Sequence, residues 1–236
     1  YHDPFLMKDM PKAAERILRG IDAGERITVY GDYDVDGISA SSLLYLFLKD
    51  CGADVNTYIP ERKSEGYGLN IDALNHLAEA GTTLVVTVDC GISAVKEIAG
   101  APKTLDIVVT DHHTPPEVLP EAYALVNPHQ KDCNYPFEHL SGVGVAFKLC
   151  QALYKMRFPD KPLWDGNTEF VALGTVADIV PLWGENRALV KHGLKKMETT
   201  ENIGLKALIE KSRCPVKDIT SENIGFILAP RLNAVG

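Results

Sequence analysis

Apolar and polar positions fall into two regimes along the chain. In the first half, short apolar runs alternate with amphipathic stretches. Residues 27–30 form an apolar run, followed by a loop over 31–37 and a helix pattern over 38–49 that stops at Gly52. A strand pattern at 53–59 leads into a polar, glycine-bearing loop at 61–68 and an amphipathic helix at 71–79 that ends at Gly81. The β-branched run 83–88 reads as a strand buried on both faces; a short helix at 92–99, a buried strand at 106–110 and a last strand at 123–126 follow. Alternation of this kind predicts an α/β fold, a parallel β-sheet with flanking helices, over residues 1–126. Beyond Asn127 helical periodicity dominates, at 143–155, 169–178, 187–197 and 203–210. A mainly helical lobe is expected over 127–236, joined to the sheet through 127–142, the two parts together making one domain.

A chain of 236 residues is long enough for such a domain, and 45% hydrophobic with 24% charged residues is ordinary for a globular protein. The net charge of −8 changes the picture more. A protein that coats nucleic acid by electrostatics alone is basic. An acidic chain suits instead an enzyme whose carboxylates hold cations, because the ions invert the local field. The five cysteines (Cys51, Cys90, Cys133, Cys150, Cys214) are odd in number, scattered and without a C-x-x-C pair. That usage points to a reducing, cytoplasmic setting and away from a disulfide framework or zinc knuckle. The first ten residues lack the apolar core of a signal peptide, and no apolar run is long enough to span a bilayer. The chain reads as a fragment of a longer protein.

Candidate chemistry sits at the ends of the expected strands. Gly31-Asp32-Tyr33-Asp34-Val35-Asp36-Gly37 puts three carboxylates within five residues, directly after the first strand. One aspartate there is an ordinary helix cap; three repel one another unless cations intervene. The third strand ends in Asp89-Cys90-Gly91, where Asp89 taken alone is a plain cap for the next helix. The fourth ends in Asp111-His112-His113, and imidazole at a sheet edge is a common transition-metal ligand. Asp178 lies in the otherwise apolar run Ala177-Asp178-Ile179-Val180-Pro181-Leu182, where a buried acid needs a cationic partner. Together these residues supply enough ligands for two divalent ions sharing a carboxylate. The mixture of Asp and His suits Mn2+ better than Mg2+.

Six strings then resemble, in order, the successive motifs of the RecJ branch of the DHH phosphoesterase superfamily. They are GDYDVDG, VTVDCGIS, VVTDHH, SGVGVAFKL, LGTVADIVPL and APRLNAVG, spanning residues 31–236. The resemblance implies a 5′→3′ exonuclease on single-stranded DNA, dependent on Mn2+ or Mg2+ and used in recombination and repair. In the full-length protein it also implies a helicase and a single-strand-binding protein as partners. By position, Asp34, Asp36, Asp89, His112 and Asp178 are similar to the family's metal ligands, with Asp89 as the bridge. Asp32 and Asp111 correspond to supporting residues and His113 to a contact with the scissile phosphate. Arg231 and Asn233 resemble phosphate-gripping residues, against a plain surface turn. Ser141 and Gly142 resemble either a backbone phosphate contact or an ordinary glycine loop opening a helix. The family's DHHA1-type and oligonucleotide-binding domains have no counterpart in these motifs.

Three other readings use the same residues. Small-substrate relatives that cleave nanoRNA, cyclic dinucleotides or pyrophosphate resemble H-x-x-x-D-x-D in the first motif, where Tyr30 stands at the histidine's position. A catalytically silent, Cdc45-like scaffold loses ligands, and every matched ligand is present here. A nucleotide-binding α/β domain needs a glycine-rich phosphate loop after the first strand, and carboxylates at that place repel a pyrophosphate.

Overall fold

The computed structural model describes residues 1–61 and 66–234, so part of the loop expected at 61–68 and the last two residues of the final motif lie outside the described residues. Five parallel strands form one sheet in the order β2-β1-β3-β4-β5: β1 (Arg26–Tyr30), β2 (Asp54–Tyr58), β3 (Thr82–Thr87), β4 (Asp106–Thr110) and β5 (Ala124–Val126). Chain order reverses about β1, which pairs with β2 on one side and β3 on the other. In open α/β sheets the crevice beyond the carboxyl ends of two such strands is the place for a ligand.

Neighbouring side chains along a strand point to opposite faces, so the inner strands feed two cores in alternation. Ile27, Val29, Leu84, Val86 and Val108 enter one core, under α1 (Met10–Asp22), α2 (Val35–Asp50) and α5 (Gly142–Arg157). Tyr30, Val85, Ile107 and Val109 enter a second core with α3 (Ile71–Glu79) and α4 (Val95–Ala99). Helix α5 is buried over its first twelve residues and packs on α1 and α2, so the chain beyond Asn127 completes the core over the sheet. A third core gathers α6 (Thr168–Ala177), α7 (Gly184–Met197) and α8 (Ile203–Lys211). The chain closes with α9 (Ser221–Asn223), a π-helical turn at Ile224–Leu228 and α10 (Ala229–Asn233).

Two expectations are corrected and one helix is added. Helix α1 was absent from the periodic reading; its buried row Ala13, Ile17 and Gly20 is interrupted by Arg16, itself only 4% exposed. Helix α2 begins at Val35, so Asp36 and Gly37 lie in its first turn, where the helix dipole favours acids. Helix α4 begins at Val95 with Ala94 at its cap, so Asp89 does not cap it.

Two buried polar networks pin this frame. At the amino ends of the strands, Arg16 donates to Asp106 (2.6 Å) and to both oxygens of Glu25 (2.7 and 3.2 Å), and Thr83 donates to Glu25 (2.7 Å). Elsewhere Lys148, fully buried on α5, pairs with Glu185 (3.0 Å) and donates to the His2 carbonyl (2.7 Å), while Tyr135 donates to Glu185 (2.6 Å).

Candidate metal centre

The turn after β1 is shaped by its glycines. A Cβ on Gly31 would stand 1.9 Å from the Ser41 hydroxyl, and one on Gly37 2.6 Å from Asp32. Lacking them, the chain folds tightly enough to bring three carboxylates past the end of the strand. Asp32 accepts from the Tyr33 N–H (2.7 Å). Asp34 caps α2 through one oxygen, which accepts from the Gly37 N–H at 2.9 Å. Asp36, 1% exposed, accepts the Gly142 and Val143 N–H groups at 2.6 and 2.9 Å. The amino end of α5 thus holds a carboxylate of the protein itself. Ser141 caps α5 and meets the Thr175 hydroxyl at 2.9 Å. At Ser141 and Gly142, where either a phosphate contact or a helix-opening loop is expected, the hydroxyl and the N–H serve the α5 cap and Asp36.

Asp89 follows β3 with φ of 60°, a left-handed conformation that a non-glycine residue adopts at a cost and that concentrates at functional sites. Its Oδ1 lies 3.1 Å from Nε2 of His112. Both atoms are buried, and neither has a hydrogen-bond partner. The pair is within reach but not in hydrogen-bonding geometry, and two such orphans side by side fit a bound cation. Nε2 of His112 is also 3.6 Å from Asp178 and 3.9 Å from Asp36. Asp178 stands at the carboxyl cap of α6 with its side chain 22% exposed, so it opens onto the crevice and is not the fully buried acid expected from its apolar neighbours.

Asp111 has another task. Its Oδ2 accepts from the Ile92 N–H (2.9 Å), and its Oδ1 takes the backbone N–H groups of His112 and His113 and lies 2.7 Å from the His113 Nδ1. This bracket sets the tautomer and orientation of His113, whose ring is exposed. Asn127 locks the same loop by donating to the His113 carbonyl (2.9 Å).

Three groups of ligand atoms lie within 4.8 Å of one another: Asp89, His112 and His113; Asp36, His112 and Asp178; and Asp32, Asp34 and Asp89. They overlap at Asp89 and His112, the pattern of two adjacent cation positions. Among the described residues no lysine or arginine forms an ion pair with these acids. Repulsion is written into their titration. Burial, then neighbouring carboxylates, push Asp36 and Asp89 well above the usual carboxylate range. Burial also raises Asp32 and Asp178 to about 6 and lowers His112 to about 4, a neutral imidazole ready to ligate. His113 moves the other way: its hydrogen bond to Asp111 raises it. Burial alone would raise Asp111, but its bonds from His113 outweigh that and hold it low.

Two expected contact residues stand apart from the acids. Arg231 and Asn233 are exposed on α10, Arg231 donates to the Ile227 carbonyl of its own helical segment, and no described ion pair or hydrogen bond joins either to the acids. Conversely, Gly174 escaped notice. A Cβ there would lie 2.5 Å from Asp36 Oδ1, and one on Gly142 2.4 Å from Asp89 Oδ1. The two glycines let α5 and α6 close onto the carboxylates. A glycine inside the helical run of LGTVAD was the signal, since such a residue weakens a helix unless space requires it.

Comparison with known proteins shows the family. The family described as "DHH family, N-terminal domain" matches residues 26–175, from β1 to three residues short of Asp178. The single-stranded-DNA-specific exonuclease RecJ of Bacillus subtilis (strain 168) is 46% identical over 237 residues, covering 100% of this chain and 29% of that protein. A crystal structure of exonuclease RecJ bound to manganese superposes with a TM-score of 0.85 at 35% identity, over 97% of this chain and 57% of that one. RecJ from Thermus thermophilus in complex with Mn2+ gives 0.82 at 34% identity, over 97% of this chain and 33% of that one. The chain spans less than half the length of the curated relatives it matches. With the family's match covering the sheet and nearly every acid and imidazole of the crevice, this chain belongs to the DHH family.

Proposed function

We propose that the chain carries the catalytic part of a metal-dependent 5′→3′ exonuclease that hydrolyses single-stranded DNA to 5′-mononucleotides. It would serve recombination and repair in the cytoplasm. The observation that carries this reading is the buried, unpartnered pair Asp89 Oδ1 and His112 Nε2, ringed by carboxylates that repel one another. Asp34, Asp36, Asp89, His112 and Asp178 would hold two divalent ions, Mn2+ or Mg2+, with Asp89 between them. Bound there, such ions acidify a water nucleophile and neutralise the non-bridging phosphate oxygens.

The chain's own groups do the rest. The first turn of α5 fixes both oxygens of Asp36, which saves reorganisation when charge develops. Asp111 orients His113 and favours its protonated form, so the exposed ring presents a positive edge to a phosphoryl oxygen. Asp32 supports the turn. Arg231 and Asn233 would meet phosphates further along the strand, from the exposed side of α10. Single-stranded DNA is the partner; in the full-length protein a helicase and a single-strand-binding protein would present it.

Tyr30 favours this substrate over small phosphoesters. Its side chain is buried in the second core and donates to the Gly68 carbonyl (3.1 Å), so no imidazole precedes the first aspartates. Asp89→Ala or His112→Ala should abolish Mn2+-dependent cleavage of single strands while leaving the circular dichroism spectrum intact. Full turnover in either folded variant would refute the assignment.

A further inference from the structure

An acidic chain that acts on single strands needs a hold on DNA that does not depend on phosphate charge. Two loops leaving the metal centre carry one. The first, residues 136–140, ends just before Ser141 and Gly142; the second, residues 179–183, begins directly after Asp178. Trp183 is 56% exposed, yet its ring is gripped edge-on by Phe137 (centroids 5.2 Å, 84°) and His139 (5.3 Å, 63°). Phe137 is buried beneath the turn at Gly184, which has φ of 54° and where a Cβ would meet the Phe137 ring at 2.7 Å. Asn186, fully buried, donates to the carbonyls of His139 (2.6 Å) and Pro181 (3.1 Å) and so staples the two loops together.

The result is an indole held rigidly in solvent beside a cavity of about 210 Å³ lined by Tyr135, Phe137, Glu138, His139 and Trp183. A ring path leads from there back to the centre. The His129 ring lies 6.5 Å, centroid to centroid, from His139, and the His129 backbone N–H donates to the Asn127 side chain, which also holds the His113 carbonyl. The cavity has no lysine or arginine in its lining, and Glu138 beside it repels phosphate. With no cation in its lining and a half-exposed indole at its edge, such a site suits a flat, uncharged group better than a phosphate.

Resting on the nuclease reading, we infer that Trp183, braced by Phe137 and His139, is a stacking platform for a nucleobase of the single strand next to the cleavage centre. Stacking is tolerant of sequence because every base has a π-face, as an exonuclease requires. It adds affinity where the net charge of the chain opposes DNA.

The chain has two tryptophans, Trp164 and Trp183. In a Trp164→Phe background, adding a phosphorothioate-linked oligothymidylate in Mg2+ should quench the remaining emission. Trp183→Ala should weaken oligonucleotide binding about ten-fold and Trp183→Phe should restore most of it, with Mn2+ affinity by calorimetry unchanged. An abasic position scanned along the strand should, at one place, bring the wild type down to the level of Trp183→Ala without further affecting that variant. Equal binding by wild type and Trp183→Ala, or an abasic series that weakens both alike, overturns the platform and points to a protein partner at this patch. A wild type that cleaves single strands but ignores Trp183 sinks only this inference; one that neither binds nor cleaves them sinks the nuclease reading and this inference with it.

Discussion

Replacing Gly142 with alanine places a carbon where the Asp89 carboxylate stands. The new Cβ would lie 2.4 Å from Oδ1 and 2.5 Å from Cβ and Cγ of Asp89. An ordinary contact is about 3.4 Å, so one side must yield by about 1 Å. Helix α5 is packed between α1 and α2 and cannot retreat, whereas Asp89 sits on a short turn. The carboxylate therefore moves. Ligand distances in a metal site tolerate about 0.2 Å, so the displacement is roughly five times the tolerance. Disturbing the groups that merely support a ligand lowers metal affinity 10–100-fold, and moving Asp89, the bridging ligand we propose, should reach at least the upper end, about 2.7 kcal/mol. Intrinsic helix preference runs the other way, since alanine exceeds glycine by up to about 1 kcal/mol. The variant should thus melt near the wild-type temperature without metal and lose the stabilisation that Mn2+ gives the wild type. Titration calorimetry with Mn2+ and paired thermal melts test this. Wild-type Mn2+ affinity in Gly142→Ala would refute the claim that this glycine exists to admit Asp89.

Two further outcomes follow from the electrostatics. In metal-free protein Asp32 and Asp178 are held at about 6 against an ordinary 3.8, and Asp36 and Asp89 are raised further. The folded state then binds more protons than the unfolded chain, so stability is highest at the acid end and falls as pH rises from about 4 to 7. The raised His113 acts in the same sense; lowered His112 and Asp111 oppose it but are fewer. Each two-unit rise is worth about 3 kcal/mol at most and roughly 1–2 after solvent screening. Urea melts in EDTA should show the decline and melts in Mn2+ should flatten it; a metal-free protein that gains stability across that window contradicts the reading. Separately, Lys148→Met leaves Glu185 buried without its cation and should cost about 3–5 kcal/mol in urea unfolding; a loss below about 1 kcal/mol would show that the pair is dispensable.

Most of the frame was legible in the sequence because strands buried on both faces are written as uninterrupted β-branched runs. The sheet was read to within a residue or so, and helix α3 to the residue. The carboxylate loop and the Asp-His-His triplet stood out because acids and imidazoles at strand ends have few structural uses, and Asp178 because it is an acid in an apolar run. What escaped depended on contacts distant in sequence. Arg16 hides the period of α1 because its charge is satisfied by Glu25 and Asp106, the latter ninety residues away. At Gly142 the sequence left a phosphate contact and a helix-opening loop open, and could not show that its N–H meets Asp36 and that its missing side chain admits Asp89. Trp183 and His139 are far apart in sequence, and only the fold brings their rings together.

The Arg16 cluster lies at the opposite ends of the same strands that deliver the acids. A five-residue strand is about 17 Å long. Charges swapped at that lower rim alter how firmly the sheet is clasped, yet they touch none of the acids in the crevice. Clasp and crevice are therefore inherited on separate shores of one small sheet, and a heat-hardened descendant can be bred at one while the other is left alone.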